Sequence, residues 1–189
     1  MTRIWSAVCL VVACCCGAAS AAGGPGTVIL VRHAEKASEP PDNPPLSEAG
    51  AARAEALVHA LADARIDAVI ATQYRRTQDT GREVATARGL TPIVVRTGTG
   101  VEEHARAVTA AVRARRADDV VLVVGHSNTV PAIIAALGGP KMPDLCDGEY
   151  ANLFVLVTSA DGVRLIRGHY GAPDPPSAAD CNRTTRPPQ

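Results

Sequence analysis

Four short apolar runs, each followed at once by a polar cluster, constrain this chain more than any other feature. They lie at residues 27–31, 68–71, 93–95 and 120–124 and are rich in Val and Ile. None alternates apolar with polar. A strand reads this way when both of its faces are buried, as in a parallel sheet covered by helices. The stretches between them have helical spacing. Residues 47–64 open with a Ser N-cap candidate, 76–88 end at Gly89, 102–116 begin acidic and end basic, and 128–137 end at Gly138-Gly139. Two further strands, 153–158 and 163–167, flank Asp161-Gly162 and read as a hairpin. The expected fold class is α/β: a three-layer α/β/α sandwich with a mostly parallel sheet of about six strands.

Residues 1–22 stand outside that pattern. Arg3 is followed by an apolar run over 4–13 and then by small residues offering a cleavage site at 19–22. This is the layout of a secretory signal peptide. The run falls short of the ~20 apolar residues that span a bilayer, so no transmembrane span is expected in the mature chain. Val11-Val12-Ala13-Cys14 resembles a bacterial lipobox, which keeps a lipid anchor at Cys14 as a second reading. The expected location is exported, either periplasmic or lipid-anchored to a bacterial membrane. Four of the six cysteines lie in this leader, leaving Cys146 and Cys181. In an oxidising compartment a disulfide is expected of that pair rather than a metal site, with two unpaired thiols as the alternative. The domain is expected over 23–172. A Pro-rich tail, 173–189, is expected to lose order beyond Cys181.

Charge and composition exclude some partners. Lys+Arg and Asp+Glu number 19 each, and aromatics are 3%. A neutral chain with few stacking platforms is not built for nucleic acid. Any anion must be drawn by a local cluster, and the strand exits supply one. In an open α/β sheet ligands sit beyond the carboxyl ends of the strands. Arg32-His33-Ala34-Glu35-Lys36 follows the first strand, Thr72-Gln73-Tyr74-Arg75-Arg76 the second, and Gly125-His126-Ser127-Asn128 the fourth. Two His and at least two Arg thus converge on one edge, where helix N-termini add N–H donors. That is a phosphate or other oxyanion site.

These segments carry a resemblance. Arg32-His33-Ala34-Glu35 resembles the R-H-G/A-E signature of the histidine phosphatase superfamily, the phosphoglycerate mutase-like fold. Leu46-Ser47-Glu48-Ala49-Gly50 is similar to its L-[ST]-x-x-G helix opening, Thr72 to Thr80 to its S/T-x-x-x-R-x-x-x-T segment, and Gly125-His126-Ser127 to its second-histidine motif. Four ordered motifs in fitting contexts make a specific signal. The resemblance implies a phosphatase acting on phosphomonoesters, phosphohistidine or phosphoanhydrides, with a small-molecule or macromolecular phosphate as substrate. His33 is then the nucleophile that forms a phosphohistidine, and Arg32 and Arg76 are the phosphoryl clamp. His126 and Ser127 complete the phosphoryl site, and no cofactor or metal is implied.

Several residues keep two readings. Glu102 is the candidate general acid, with Glu103 beside it, but both also fit as first-turn carboxylates of a helix. Arg75 reads as solvent-facing, or as the clamp if the register slips by one. His59 and His169 read as structural, Asn128 as a helix cap, and His104 as a packing residue or a pocket wall. Ser127 follows the second His where the family's longer acid phosphatases place Asp, which disfavours that branch. His33-x-Glu35 lacks the P-C-x-x-C partner of zinc deaminases. Two rival functions stay open. One is a phosphoanion-binding domain without turnover. The other is a serine hydrolase using Ser127, with Asp161 and His169 as its partners, although Thr129 stands where a nucleophile elbow has Gly. Hydrolysis is expected rather than mutase chemistry, and the short 38–45 loop suggests an open site.

Overall fold

The computed structural model describes residues 24–98 and 100–176. The leader with Cys14, Thr99, and the part of the tail from 177 on, with Cys181, lie outside the described residues. The element order is β1 (Thr27–Arg32), α1 (Glu48–Ala60), β2 (Ala68–Ala71), α2 (Arg75–Ala87), β3 (Ile93–Val94), α3 (Val101–Arg113), β4 (Val120–Gly125), α4 (Thr129–Ala136), β5 (Asn152–Ser159) and β6 (Gly162–His169). They form one six-stranded sheet in the order β3-β2-β4-β1-β5-β6. The first four strands of that order are parallel, and the β5–β6 hairpin adds antiparallel to β1. The expected mostly parallel α/β architecture is what the chain adopts.

The continuous apolar runs are divided by the two-residue period of a strand. Val28, Leu30, Val121 and Val123 pack with Val108 and Val112 of α3, Ile133 and Ile134 of α4, and Phe154. Their neighbours Ile29, Val31, Leu122 and Val124 pack on the other side with Leu57 of α1 and Val84 of α2. Two cores on opposite faces of one sheet explain why these strands show no polar positions.

Element ends differ from expectation for local reasons. β3 is two residues, not three; it is an edge strand paired only with β2, and Val94 is 46% exposed. The hairpin runs longer at both ends, because backbone pairing continues from Asn152↔His169 to Ser159↔Gly162 through residues without an apolar signal. Helix α1 ends at Ala60 and its chain turns through 61–64. Helix α2 stops at Gly89, whose φ of 64° is the left-handed conformation that glycine adopts without penalty. Asn128 occupies the N-cap position of α4, but its side chain makes no capping bond; the Thr129 hydroxyl instead accepts the N–H of His126 at 2.8 Å. Among the described residues no helix is long and apolar enough to cross a membrane.

Candidate active site

The site begins with strand register. β1 and β4 lie side by side with Arg32 opposite Gly125, and the His33 N–H donates to the Gly125 carbonyl at 2.9 Å. The next residue of each strand is a histidine, so the two rings emerge together. Their centroids are 5.4 Å apart, edge to face. Both are buried, His33 at 4% exposure and His126 at 9%. β2, on the other side of β4, brings Thr72, whose hydroxyl lies 3.2 Å from Nε2 of His126.

The protonation of His33 follows from one contact. Its Nδ1 lies 2.8 Å from the Ala34 carbonyl oxygen. A carbonyl only accepts, so Nδ1 carries the hydrogen and Nε2 keeps its lone pair. Burial pushes the His33 pKa down to about 4; the Ala34 bond opposes this, and the Arg32, Arg76 and Lys36 charges reinforce it. Burial first, then His33 and Arg76, takes His126 down to about 3. Both rings are therefore neutral near neutral pH.

Each histidine is flanked by an arginine stacked on a tyrosine. The Arg32 guanidinium sits 4.1 Å over the Tyr150 ring, and that of Arg76 4.3 Å over the Tyr74 ring. Tyr150 in turn stands 6.1 Å from His33, and Tyr74 5.6 Å from His126. The stacking holds each cation by its flat face; Arg32 gives Nη1 to backbone carbonyls and Nη2 to the Tyr150 hydroxyl at 3.4 Å, while its buried Nε has no partner. Arg76 has no salt bridge among the described residues, and its buried Nε has no partner. Burial, then the charge of Arg32, lowers its pKa from the usual arginine value.

The motif residues around this core hold the backbone. The Ala34 N–H donates to the Thr80 hydroxyl at 2.9 Å, and that hydroxyl donates to the Arg76 carbonyl at 2.7 Å. Thr80 thus ties the nucleophile loop to α2, which carries the second arginine. Ser47 caps α1 by accepting the Gly50 N–H at 3.1 Å. Gly50 has no side chain because a Cβ there would collide with the Glu35 carbonyl oxygen. Arg53 grips the Glu35 carboxylate through Nε at 3.0 Å and Nη2 at 2.8 Å. Burial raises the Glu35 pKa, but the Arg53 guanidinium outweighs this and holds it below the ordinary value.

A pocket of about 320 Å³ opens on the His126 side of the pair, lined by Tyr74, Arg76, Thr97, His104, His126 and Asn128 among others, with His33 and Arg32 behind its wall rather than in it. Gln73 holds its far wall, donating to the Thr97 hydroxyl at 2.8 Å and accepting the Thr97 N–H at 2.9 Å. His104 is buried there, with Nδ1 3.3 Å from the Arg96 carbonyl. A larger cavity, about 630 Å³, lies between the start of β1 and the end of α3 and is remote from this chemistry.

Four expected residues, Arg32, His33, Arg76 and His126, come together as read. Glu102 does not join them. It is exposed in the first turn of α3, where Val101 and His104 line the pocket and Glu102 does not; Glu103 is also exposed, with its carboxylate against Gly98 of the pocket loop. Ser127 is partly buried, and its carbonyl accepts the Leu145 N–H at 3.0 Å; it does not line the pocket. Cys146 is buried, and its expected partner Cys181 lies outside the described residues. Arg75 is exposed, so the register holds with Arg76. A serine triad does not assemble: Asp161 lies in the hairpin turn and His169 at the far end of β6, about 25 Å of extended chain away. Sequence reading missed Tyr74, Tyr150, Thr80 and Arg53. The signal for the aromatic pair was scarcity: of three tyrosines in the chain, each stacks on an arginine, Tyr170 with Arg53 being the third. No group of three or more His, Cys, Asp or Glu among the described residues is arranged to hold a metal ion.

Comparison with known proteins places this arrangement. The model of the histidine phosphatase superfamily (branch 1) matches residues 28–98, from β1 to the loop after β3. A protein of Nakamurella multipartitia assigned as the phosphohistidine phosphatase SixA is 28% identical, with TM-score 0.53, over 77% of this chain and 96% of its own. The chain is similar to the histidine phosphatase superfamily, by sequence over residues 28–98 and by fold over most of its length. Two more distant structures agree in fold. One, from Escherichia coli, is assigned as an α-ribazole-5′-P phosphatase and is 16% identical with TM-score 0.63, over 77% of this chain and 96% of that one. The other is a mycobacterial glucosyl-3-phosphoglycerate phosphatase, 17% identical with TM-score 0.56, over 77% and 98%. No curated protein matches the sequence. That likeness supports phosphatase chemistry in general.

Proposed function

We propose that this protein hydrolyses phosphate substrates through a phosphohistidine on Nε2 of His33, without a metal. One observation carries the reading: a buried, neutral histidine is locked as its Nδ1–H tautomer by a carbonyl, with two arginines beside it. The Nε2 lone pair attacks phosphorus, forming a P–N bond as the bond to the leaving group breaks. Arg32, Arg76 and His126 hold the non-bridging oxygens and offset the charge that builds in the transition state. Water then attacks phosphorus, the P–N bond breaks, and inorganic phosphate leaves with Nε2 restored. Glu102 stands outside the pocket, and His126 and His104 are neutral and so poor proton donors. The site therefore suits groups that leave without strong acid assistance: phosphohistidine, phosphoanhydrides and aryl phosphates. The neighbour assigned as SixA supports the first of these.

The test is hydrolysis of p-nitrophenyl phosphate by the purified protein in EDTA, wild type beside His33→Ala. Turnover that resists EDTA and vanishes in the variant supports the proposal, as does a phosphoenzyme that is acid-labile and alkali-stable. Activity surviving His33→Ala overturns the choice of nucleophile. A binding-only domain is the second reading, favoured by Arg32, which spends Nη1 on three backbone carbonyls. Tungstate binding without turnover would select it. Export, with a Cys146–Cys181 bridge, belongs to the same proposal and is supported by the leader pattern and the cysteine count. Cell fractionation tests the first, and intact mass before and after reductive alkylation tests the second.

A further inference from the structure

Arg32 takes its orientation from backbone. Its Nη1 donates to the carbonyls of Cys146 at 2.6 Å, Asp147 at 3.0 Å and Glu149 at 3.2 Å. Three carbonyls of one short segment converge on one nitrogen only if the chain is tightly turned. The turn is closed by its own bonds: the Glu149 carboxylate accepts the Cys146 N–H at 2.6 Å, and the Glu149 N–H donates to the Cys146 carbonyl at 2.9 Å. Its exit is held from elsewhere. One carboxylate oxygen of Asp174 accepts the N–H groups of both Tyr150 and Ala151 at 2.9 Å. Tyr150 is the residue on which Arg32 stacks.

Asp174 is itself anchored. Arg53, with its side chain 4% exposed, donates through Nη1 to the carbonyls of Tyr170 at 3.0 Å and Ala172 at 2.9 Å, and its Nη2 lies 4.0 Å from Asp174. The same guanidinium grips Glu35, two residues beyond His33. One buried arginine thus joins the loop after the nucleophile to the segment that fixes the turn around Arg32. We propose that Asp174 is a positioning residue for Arg32, acting through the 146–150 turn and anchored by Arg53. It lies well beyond the 28–98 segment that the family model matches. The proposal rests on the reading of Arg32 as a phosphate-binding group.

The sign of the change on losing Asp174 separates positioning from simple electrostatics. Removing a carboxylate near an oxyanion site strengthens anion binding if charge alone matters. Losing the two charge-assisted bonds that hold the turn weakens it, because Arg32 then loses its orientation. The experiment measures tungstate binding by calorimetry, p-nitrophenyl phosphate kinetics, thermal unfolding and amide exchange at Tyr150 and Ala151. The variants are Asp174→Ala, Asp174→Asn, Arg32→Ala and the Arg32→Ala/Asp174→Ala double. We expect Asp174→Ala to unfold cooperatively, exchange faster at both amides and bind tungstate about 10-fold more weakly. Asparagine keeps an acceptor oxygen, so Asp174→Asn loses only about 2- to 3-fold. In the Arg32→Ala background, Asp174→Ala adds no further loss. Unchanged or tighter binding in Asp174→Ala, or an equal loss in both backgrounds, overturns the proposal. Should Asp174→Ala not fold, Asp174→Asn decides, with unchanged or tighter binding overturning it. Wild type that binds tungstate without turnover ends the phosphatase reading and leaves this test intact on binding alone. Wild type that binds none overturns both.

Discussion

His33 and His126 face each other edge to face at 5.4 Å because Arg32 and Gly125, one residue earlier in each strand, are register partners. The contact needs no element to bend. It is the first position past the paired ends of two parallel strands, where side chains leave the sheet and have not yet entered a helix. Burial keeps both imidazoles uncharged, and two neutral rings between two arginines form a site with one available nucleophilic lone pair and, in Arg76, a cation with no salt bridge among the described residues.

The same burial makes stability depend on acid. His33 and His126 have folded pKa values of about 4 and about 3, against 6.5 for an unperturbed histidine. Between those values the unfolded chain binds protons that the native state refuses. Stability therefore rises with pH through that window and is lost as pH falls from near 6.5 toward 3. Urea unfolding of wild type should show this loss between about pH 7 and pH 4, and His33→Gln should flatten it. An equal slope in both proteins would place the acid sensitivity elsewhere. In NMR spectra, the His33 and His126 ring signals should stay constant from about pH 5 to pH 8.

Thr80 is expected to matter for both fold and rate. Its buried hydroxyl is the acceptor for Ala34 N–H, next to the nucleophile. Thr80→Val keeps the shape and strands that amide, at a cost of about 1–3 kcal/mol. Chemical denaturation reads the stability loss, and kcat should fall with it because His33 loses its backbone brace. Thr80→Ser should restore most of both, and a Val variant equal to wild type would show that the bond is dispensable.

Gly50 tests why α1 can sit where it does. A methyl group there runs into the Glu35 carbonyl oxygen, which is backbone and cannot rotate aside. Gly50→Ala should destabilise by about 1–3 kcal/mol or more, despite the better helix propensity of alanine. A thermal unfolding midpoint at or above wild type would contradict this packing.

Glu102 and the leaving group can be separated by kinetics. Glu102→Gln should hydrolyse p-nitrophenyl phosphate within about 2-fold of wild type, because the side chain points away from the pocket. Rates across a series of aryl and alkyl phosphates should fall steeply as the leaving group becomes more basic. A loss of 100-fold or so in Glu102→Gln, or a flat series, would mean that an acid reaches the leaving oxygen after all.

Much of this was legible in the residues themselves. The apolar runs fixed the strands because a doubly covered strand has nowhere to put a polar side chain, and the strand exits named Arg32, His33, Arg76 and His126 because ligand sites in such sheets lie past the carboxyl ends. Glu102 could not be assigned from sequence, since an acid at a helix start has the same signature whether it serves the dipole or a substrate. Only the rotation of α3, set by Val108 and Val112 in the core, turns His104 inward and Glu102 outward.

What the sequence determined by itself was therefore the local: strand and helix identity, the hairpin, the capping of α1 by Ser47, and which residues stand at the sheet edge. What only the tertiary structure decided was the long-range partnership. Tyr150 under Arg32 and Arg53 on the Tyr170 carbonyl join residues more than a hundred positions apart, and Asp174 on the 146–150 turn and Arg53 on Glu35 join separate elements. Spacing along the chain carries no trace of them. Periodicity records which face of an element is buried, whereas a hydrogen bond across the fold depends on where two separately folded segments meet.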